Sequence, residues 1–307
     1  MGQTTTGLFL QQYVAPQLLE EFKNYKDDFI GTLKGAPASA ITADGIRFNR
    51  LVNNVGFYVN NSTNFTPTTM NGEKVFVEWE KYDTSPTQVT DAEVRSLAFD
   101  KRAEVRIKHS QAMKIGIRNH VMWKLAPEDS TKAGMPVMRA TGETVGTRKR
   151  LTFRDAVSYL EMVKALNLPI EDELYMILCR EHVSDLIVDR DSAKFFADSR
   201  IFFDSTTGRV RSILGFKFFE NNSAVAYDQT GNKKPEGSVL TATDRNASLF
   251  YYGPNTVYHL NEVKVLYKPE TIDTRSADPT SEFRLQTYGL VDRILDYGVG
   301  AIVSGIA

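Results

Sequence analysis

Cys179 and His182, in the run Cys-Arg-Glu-His, are the nearest approach in this sequence to a nucleophile and a base. A cysteine attacks as its thiolate, which needs a base or positive charge beside it and a third group to orient that base. Here Cys179 closes the apolar run LYMILC (174–179), a position that reads as packing, and no orienting group stands at a useful spacing. His109 and His120 lie eleven residues apart on nearly one helix face. Three turns of rise separate them by about 16 Å, too far to share a metal ion, so each reads as a surface or interface histidine. DRDSAKFFADS (189–199) opens with the Asp spacing of a calcium loop, but Lys194 stands where glycine is needed.

Phosphate-binding loops fare no better. GVGAIVSG (298–305) is followed by no helix, and GETVGTRKR (142–150) lacks the Lys-Ser/Thr pair, so both read as turns. Glu171, Asp172 and Glu173 read as a solvated turn between a helix and a strand. A single cysteine excludes an intramolecular disulfide and a Cys-rich metal site. The expectation is a chain without catalytic residue, cofactor or metal, and not an enzyme. A Cys179–His182 enzyme is the rival reading from another class.

The elements that would position these residues alternate between two periods. Val75, Val77 and Trp79 alternate with Phe76, Glu78 and Glu80, which predicts a strand. Ala103, Val105 and Ile107 alternate with Glu104, Arg106 and Lys108, which predicts its return strand. Between them Lys81–Arg102 is a polar excursion of some twenty residues, where a hairpin loop ordinarily takes about 2–5. From Ser110 the period lengthens: Met113, Ile117, Val121 and Leu125 recur every fourth residue, predicting an amphipathic helix that Pro127 stops. Residues 128–150 read as a long polar connection.

Thr152, with Asp155 three residues on, predicts a helix start. LYMILC is apolar throughout, as befits a strand central in a sheet. EHVSDLIVDRDSAKFF reads as a further helix, and GRVRSILGFKFFENN as a strand that bends at Gly215 and continues. The tail from residue 248 reads as strands with one short helical piece. Leu18, Leu19, Phe22, Tyr25, Phe29 and Ile30 have helical spacing after Pro16, and 35–45 reads as a linker or extended arm. The class is α+β.

At 307 residues, 42% hydrophobic and 24% charged, the chain can bury a sizeable core. Its net charge of −1 argues against a dedicated nucleic-acid binder. No apolar run reaches the roughly 18 residues of a membrane span, and no basic apolar leader opens the chain. Charge is uneven, however. Residues 51–100 carry 3 basic and 7 acidic side chains, a net of −4, whereas 101–150 carry 12 basic and 4 acidic, a net of +8. Opposite fields of this kind can fix the register between copies of a chain.

In order, an N-terminal arm, a long two-stranded excursion, one long helix, LTFRDAVSYLEMVKALNLPIEDELYMILCREHVSDLI, GRVRSILGFKFFENN and a closing YGLVDRILDYGVGAIV resemble the major capsid proteins of tailed bacteriophages, the Hong Kong 97-like fold. The stretches 82–113 and 151–222 carry the resemblance most specifically, and are similar to those of phages of gut Bacteroidetes. The resemblance implies an N-terminal arm (1–45) and an extended β-hairpin loop with flanking strands (46–109). It further implies a peripheral domain with a long spine helix (110–145 and 251–307) and an axial domain (146–250).

Lys81–Arg102 would then be the loop tip, lying across a neighbouring subunit. Its Asp83, Asp91 and Glu93 would meet Lys101, Arg102, Arg106 or Lys108 of that neighbour. Implied partners are the chain itself as pentamers and hexamers, a separate scaffolding protein, a portal and decoration or auxiliary proteins. Packaged double-stranded DNA would be held without sequence-specific binding, in a virion capsid assembled in the host bacterial cytoplasm. Some relatives join subunits by Lys–Asn crosslinks; Lys74 and Lys81 lie in the loop, but nothing in this sequence identifies a partner. An encapsulin-like protein-compartment shell of the same fold and a tail or baseplate component are alternatives.

Overall fold

The computed structural model describes residues 29–51, 59–62, 64, 66–67, 69, 72–90, 101–168, 173–189, 201–203, 210–213 and 215–307. Strands β1 (Gly45–Leu51) and β2 (Gly72–Glu78) come first, then β3 (Glu80–Asp83) and β4 (Thr87–Thr90). Helix α1 (Lys101–Leu125) leads to three short strands, β5 (Val137–Arg139), β6 (Thr144–Val145) and β7 (Arg148–Lys149). Helix α2 (Phe153–Lys164), strand β8 (Leu174–Cys179) and helix α3 (Arg180–Val188) follow. Next come β9 (Ile201–Phe203), β10 (Val210–Ile213), β11 (Phe216–Asn221), β12 (Val225–Tyr227) and β13 (Arg245–Tyr252). The chain closes with β14 (Thr256–Leu260), β15 (Lys264–Lys268), β16 (Thr280–Arg293), β17 (Val299–Val303) and β18 (Gly305–Ile306).

Among the described residues, eight strands form the larger sheet in the order β5-β17-β13-β8-β11-β10-β9, with β12 beside β13. β8 lies between β13 (antiparallel) and β11 (parallel), and the sequence shows why. Both its faces are buried: Met176 and Leu178 pack with Tyr159 and Val163 of α2 and Leu186 of α3, while Ile177 faces the core that contains α1. An alternation with apolar residues on both sides reads as one continuous run. Each side chain of this size contributes about 1.5–3 kcal/mol by burial. Helix α2 opens as its sequence predicts, with a reciprocal capping box between Thr152 and Asp155.

The smaller sheet is built on the 14-residue strand β16. β14 and β15 pair along one edge of it, β3 and β4 along the other. Helix α1 lies against both sheets at once. Met113, Ile117, Val121 and Leu125 share one core with Leu249 and Val299 of the larger sheet and with Leu285 and Val291 of the smaller. No helix among the described residues is long and apolar enough to cross a membrane.

Several expectations are corrected here. Residues 103–109 are not a return strand but the first turns of α1. The four-residue ladder runs upstream through Val105, which packs on the core, and His109, which is buried. Ile107, which completed the apparent alternation, is 45% exposed. GVGAIVSG is not a turn but the fully buried β17 with the start of β18. Gly300 lies within it because a Cβ there would come 2.1 Å from the Tyr159 hydroxyl and 2.5 Å from the Pro136 carbonyl oxygen.

At Gly215 (φ 87°) the chain does not bend and continue but reverses into the β10–β11 hairpin, Ile213 opposite Phe216. The connection 128–150 contains β5, β6 and β7. β5 and β17 are strands of the larger sheet. An all-apolar strand such as β17 is satisfied only where both faces are covered. The segment 35–45 is not a free linker: Tyr258 N–H donates to the Lys34 carbonyl, and Ala36 N–H to that of Tyr258. The helical pattern at 16–28 lies outside the described residues.

Candidate functional site

The surface with no core of its own is the β1–β2 ribbon. Its strands pair antiparallel from Gly45 opposite Glu78 to Leu51 opposite Gly72, and among the described residues they pair with no third strand. At the base, Ile46, Phe48 and Val77 pack with Ala40, Val257 and Leu290, and Trp79 Nε1–H donates to the Thr42 carbonyl at 3.1 Å. On the opposite face the Arg47 guanidinium lies 5.0 Å over the ring of Phe76, which is 42% exposed. A lone two-stranded ribbon is marginally stable in water, and this one is supported at its base by that packing.

The polar excursion Lys81–Arg102 does not behave as a projecting arm where it is described. β3 pairs with β16, Tyr82 opposite Thr287, and β4 pairs with it further along, Val89 opposite Ser281. Lys101 and Arg102 begin α1. The sequence separates the two paired strands of the real hairpin by its stretch 52–71, upstream of the excursion.

Asp83 accepts an ion pair from Lys81 at 2.8 Å, with Arg284 at 3.7 Å, and the bond from Lys81 is the main reason its carboxyl lies below the usual range. Arg102 pairs with Glu270 at 2.9 Å. Lys101, Arg106 and Lys108 ride on α1, the last of them exposed. Asp91 and Glu93 lie outside the described residues.

The seam between α1 and the β3–β4 segment is held by histidines that sequence reasoning left on the surface. His109 is buried, with Thr84 Oγ1 at 2.7 Å from Nδ1 and Thr87 Oγ1 at 2.8 Å from Nε2. Burial lowers its pKa, as it must for a ring kept neutral between two hydroxyls. One helical face further on, His120 Nε2 is 2.6 Å from Glu80 Oε2 and its Nδ1 is 2.7 Å from Glu236 Oε2. Lys124 Nζ holds the other Glu80 oxygen at 2.6 Å. Burial works against the Glu80 charge, but the bonds from His120 and Lys124 outweigh it and bring its pKa to about 2. A groove of about 610 Å³ runs along this seam over Ala112, Met113 and Gly116, with Lys81, Lys108 and Glu236 on its rim. The only sequence signal for the seam was the eleven-residue spacing of the two histidines.

Cys179 and His182 do not form a nucleophile and base. Both are buried, and burial pushes the thiol up to about 11, so it is protonated at neutral pH. The His182 ring is spent on Ser248 Oγ (2.7 Å from Nδ1) and Ser304 Oγ (2.9 Å from Nε2). Ser248 Oγ also accepts the Cys179 N–H at 3.0 Å. Burial lowers His182 to about 4. Among the described residues no group of three or more His, Cys, Asp or Glu is placed to hold a metal ion.

No protein-family description and no curated protein matches the sequence. Solved structures do match the fold. The capsid structure of cyanophage P-SCSP1u aligns with a TM-score of 0.60 at 12% identity, over 87% of this chain and 85% of that one. The mature capsid of bacteriophage PhiM1 aligns at 0.57 and 10% identity, over 91% and 87%. A structure of Mycobacterium phage Che8 aligns at 0.58 and 12% identity, over 90% and 91%. The chain therefore has the α+β fold of phage capsid structures, nearly end to end.

Proposed function

We propose that this chain is the major capsid protein of a tailed bacteriophage, a structural subunit that assembles as pentamers and hexamers into an icosahedral shell around the DNA genome. The observation that carries the reading is the agreement of fold with phage capsid structures over about nine-tenths of the chain, for example 91% with the mature capsid of bacteriophage PhiM1. The β1–β2 ribbon supports it. A hairpin with an apolar base, an exposed Phe76 and no third strand among the described residues suits an arm that a neighbour covers. In this proposal the extended loop is the ribbon around 45–78. The smaller sheet with α1 corresponds to the peripheral domain, and the larger sheet with α2 and α3 to the axial domain.

Asp83, Asp91, Glu93, Lys101, Arg102, Arg106 and Lys108 remain proposed contacts between subunits, Asp83 and Arg102 also pairing within the chain with Lys81 and Glu270. A shell of identical subunits needs repeated heterologous contacts that close, and obligate interfaces of this kind commonly bury ~2,000 Å² or more. Near-neutral net charge suits a container that DNA must slide within. A scaffolding protein, a portal and the likeness to phages of gut Bacteroidetes are part of the same proposal.

Expression of the full chain, followed by light scattering and negative-stain electron microscopy, tests it. Closed shells hundreds of ångströms across, or pentamers and hexamers that close when a scaffold is supplied, are the expected result. A discrete monomer or dimer that no scaffold assembles overturns it. Shells formed in the native host that hold protein instead of DNA would mark the chain as the wall of a protein compartment.

A further inference from the structure

His120 sits where three elements meet: Glu80 comes from β3, Lys124 from its own helix α1, and Glu236 from the connection between β12 and β13. Each ring nitrogen faces a carboxylate oxygen, at 2.6 and 2.7 Å. A neutral imidazole has one N–H and could donate to only one of them; the other nitrogen would turn a lone pair toward a carboxylate. Both contacts together require the doubly protonated ring. The remaining groups around it are Tyr82, edge-on to the imidazole at 5.4 Å, and Trp123, stacked at 6.3 Å with Lys233 over its far face at 4.2 Å.

The two carboxylates are not equally secured. Glu80 keeps Lys124 at 2.6 Å and Tyr82 Oη–H at 3.3 Å whatever the state of the histidine. Glu236, with a side chain 41% exposed, has His120 as its hydrogen-bond partner among the described contacts. The loop around Glu236 is fixed at both ends by other bonds. Trp123 Nε1–H donates to the Lys234 carbonyl at 2.9 Å, and Thr241 N–H to Asp244 Oδ2 at 2.7 Å. Between these anchors stands Gly237 at φ 72°, and beyond it Val239, 89% exposed. Glu236 also stands in the wall of both the 610 Å³ groove and a neighbouring cavity of about 270 Å³, which share Gly116 of α1.

We propose that His120 is the pin of a protonation-controlled latch: its charged ring holds Glu236 against α1, and neutralising it releases the segment Pro235–Leu240 while Glu80 stays bound. Burial disfavours the charge on His120, but the bonds from Glu80 and Glu236 outweigh it and raise the pKa above the ordinary 6.5. The latch is therefore closed below that raised value and opens as pH rises through it. Opening moves Glu236 out of the wall and joins the groove to the cavity. This is a property of the folded chain and does not depend on shell assembly.

Hydrogen–deuterium exchange read by mass spectrometry tests it on the full chain, assembled or not. The slow exchange of the imidazole C2 proton gives the titration midpoint of His120, and amide exchange follows peptides covering 228–244. The expected result is a His120 midpoint above that of a free histidine. Intrinsic-rate-corrected exchange at 235–240 should rise roughly tenfold per pH unit on approach to that midpoint, since each unit multiplies the neutral fraction tenfold. Glu236→Gln should remove the pH dependence, because the amide can donate to a neutral Nδ1. Lys233, which burial lowers to about 8, is the other group titrating nearby, and Glu236→Gln leaves it in place. A His120 midpoint at or below 6.5, or a pH dependence that survives in Glu236→Gln, overturns the latch.

Discussion

His182 is neutral because it is buried, and that makes it a liability in acid. Its pKa near 4, against an ordinary 6.5, means that between those values the unfolded chain binds a proton that the folded chain refuses. The stability it contributes is complete above pH 6.5 and is lost as pH falls toward 4, on the order of 3 kcal/mol. Chemical denaturation at pH 7 and pH 5 should show the loss, and His182→Gln, which can still bond Ser248 and Ser304 without titrating, should flatten it. Equal acid sensitivity in that variant would assign the effect to another group. At this scale the sequence was informative about what is absent. The Cys-Arg-Glu-His run could be dismissed from its apolar context, whereas the two serines that bind His182 lie 66 and 122 residues away, beyond any local reading.

Among the elements, the segment Lys81–Arg102 and the ribbon β1–β2 exchange roles between sequence and structure. Alternation in 75–79 was a true strand, but its partner is 45–51 rather than 103–107. The error has a physical origin: a helix whose inward positions include His109, and whose outer face includes Ile107 and Ile115 at 45% and 46% exposure, imitates a period of two over six residues. The consequence is testable by two deletions. Removing 49–74 and closing the ribbon with a short turn should leave a cooperatively folded but assembly-defective subunit, as judged by thermal melting and light scattering. Removing 81–102 strips one edge of β16 and the start of α1, and with them Val89 and the Thr84 and Thr87 hydroxyls that bind His109, so this variant should lose its cooperative melt. A well-folded 81–102 deletion beside an unfolded 49–74 deletion would reverse the assignment.

On the scale of the whole molecule, one continuous core joins α1 to both sheets, and the β1–β2 ribbon carries an exposed surface outside it. Phe76 belongs to that outer surface. Phe76→Asp should change the stability of the isolated subunit by no more than about 0.5 kcal/mol, as for an exposed position away from caps and buried networks. It should weaken assembly sharply, because an exposed aromatic that a partner buries is the residue type that dominates association. A sedimentation or light-scattering assay that finds wild-type assembly by this variant removes Phe76 from the interface.

Local pattern alone determined the α+β class, the buried central strand at 174–179 with Cys179 packed at its end, the capped helix after Thr152 and the end of α1 before Pro127. All of these follow from interactions a few residues apart: side-chain period, capping and the missing N–H of proline. Which strands pair, that β17 is core instead of turn, that 81–90 completes the β16 sheet, and that His120 bridges Glu80 and Glu236 were decided only in the tertiary structure. Most of those contacts join residues from about 20 to about 200 positions apart, for example Leu51 with Gly72 and Val89 with Ser281, and a sequence read locally holds no record of which distant partner buries a given face.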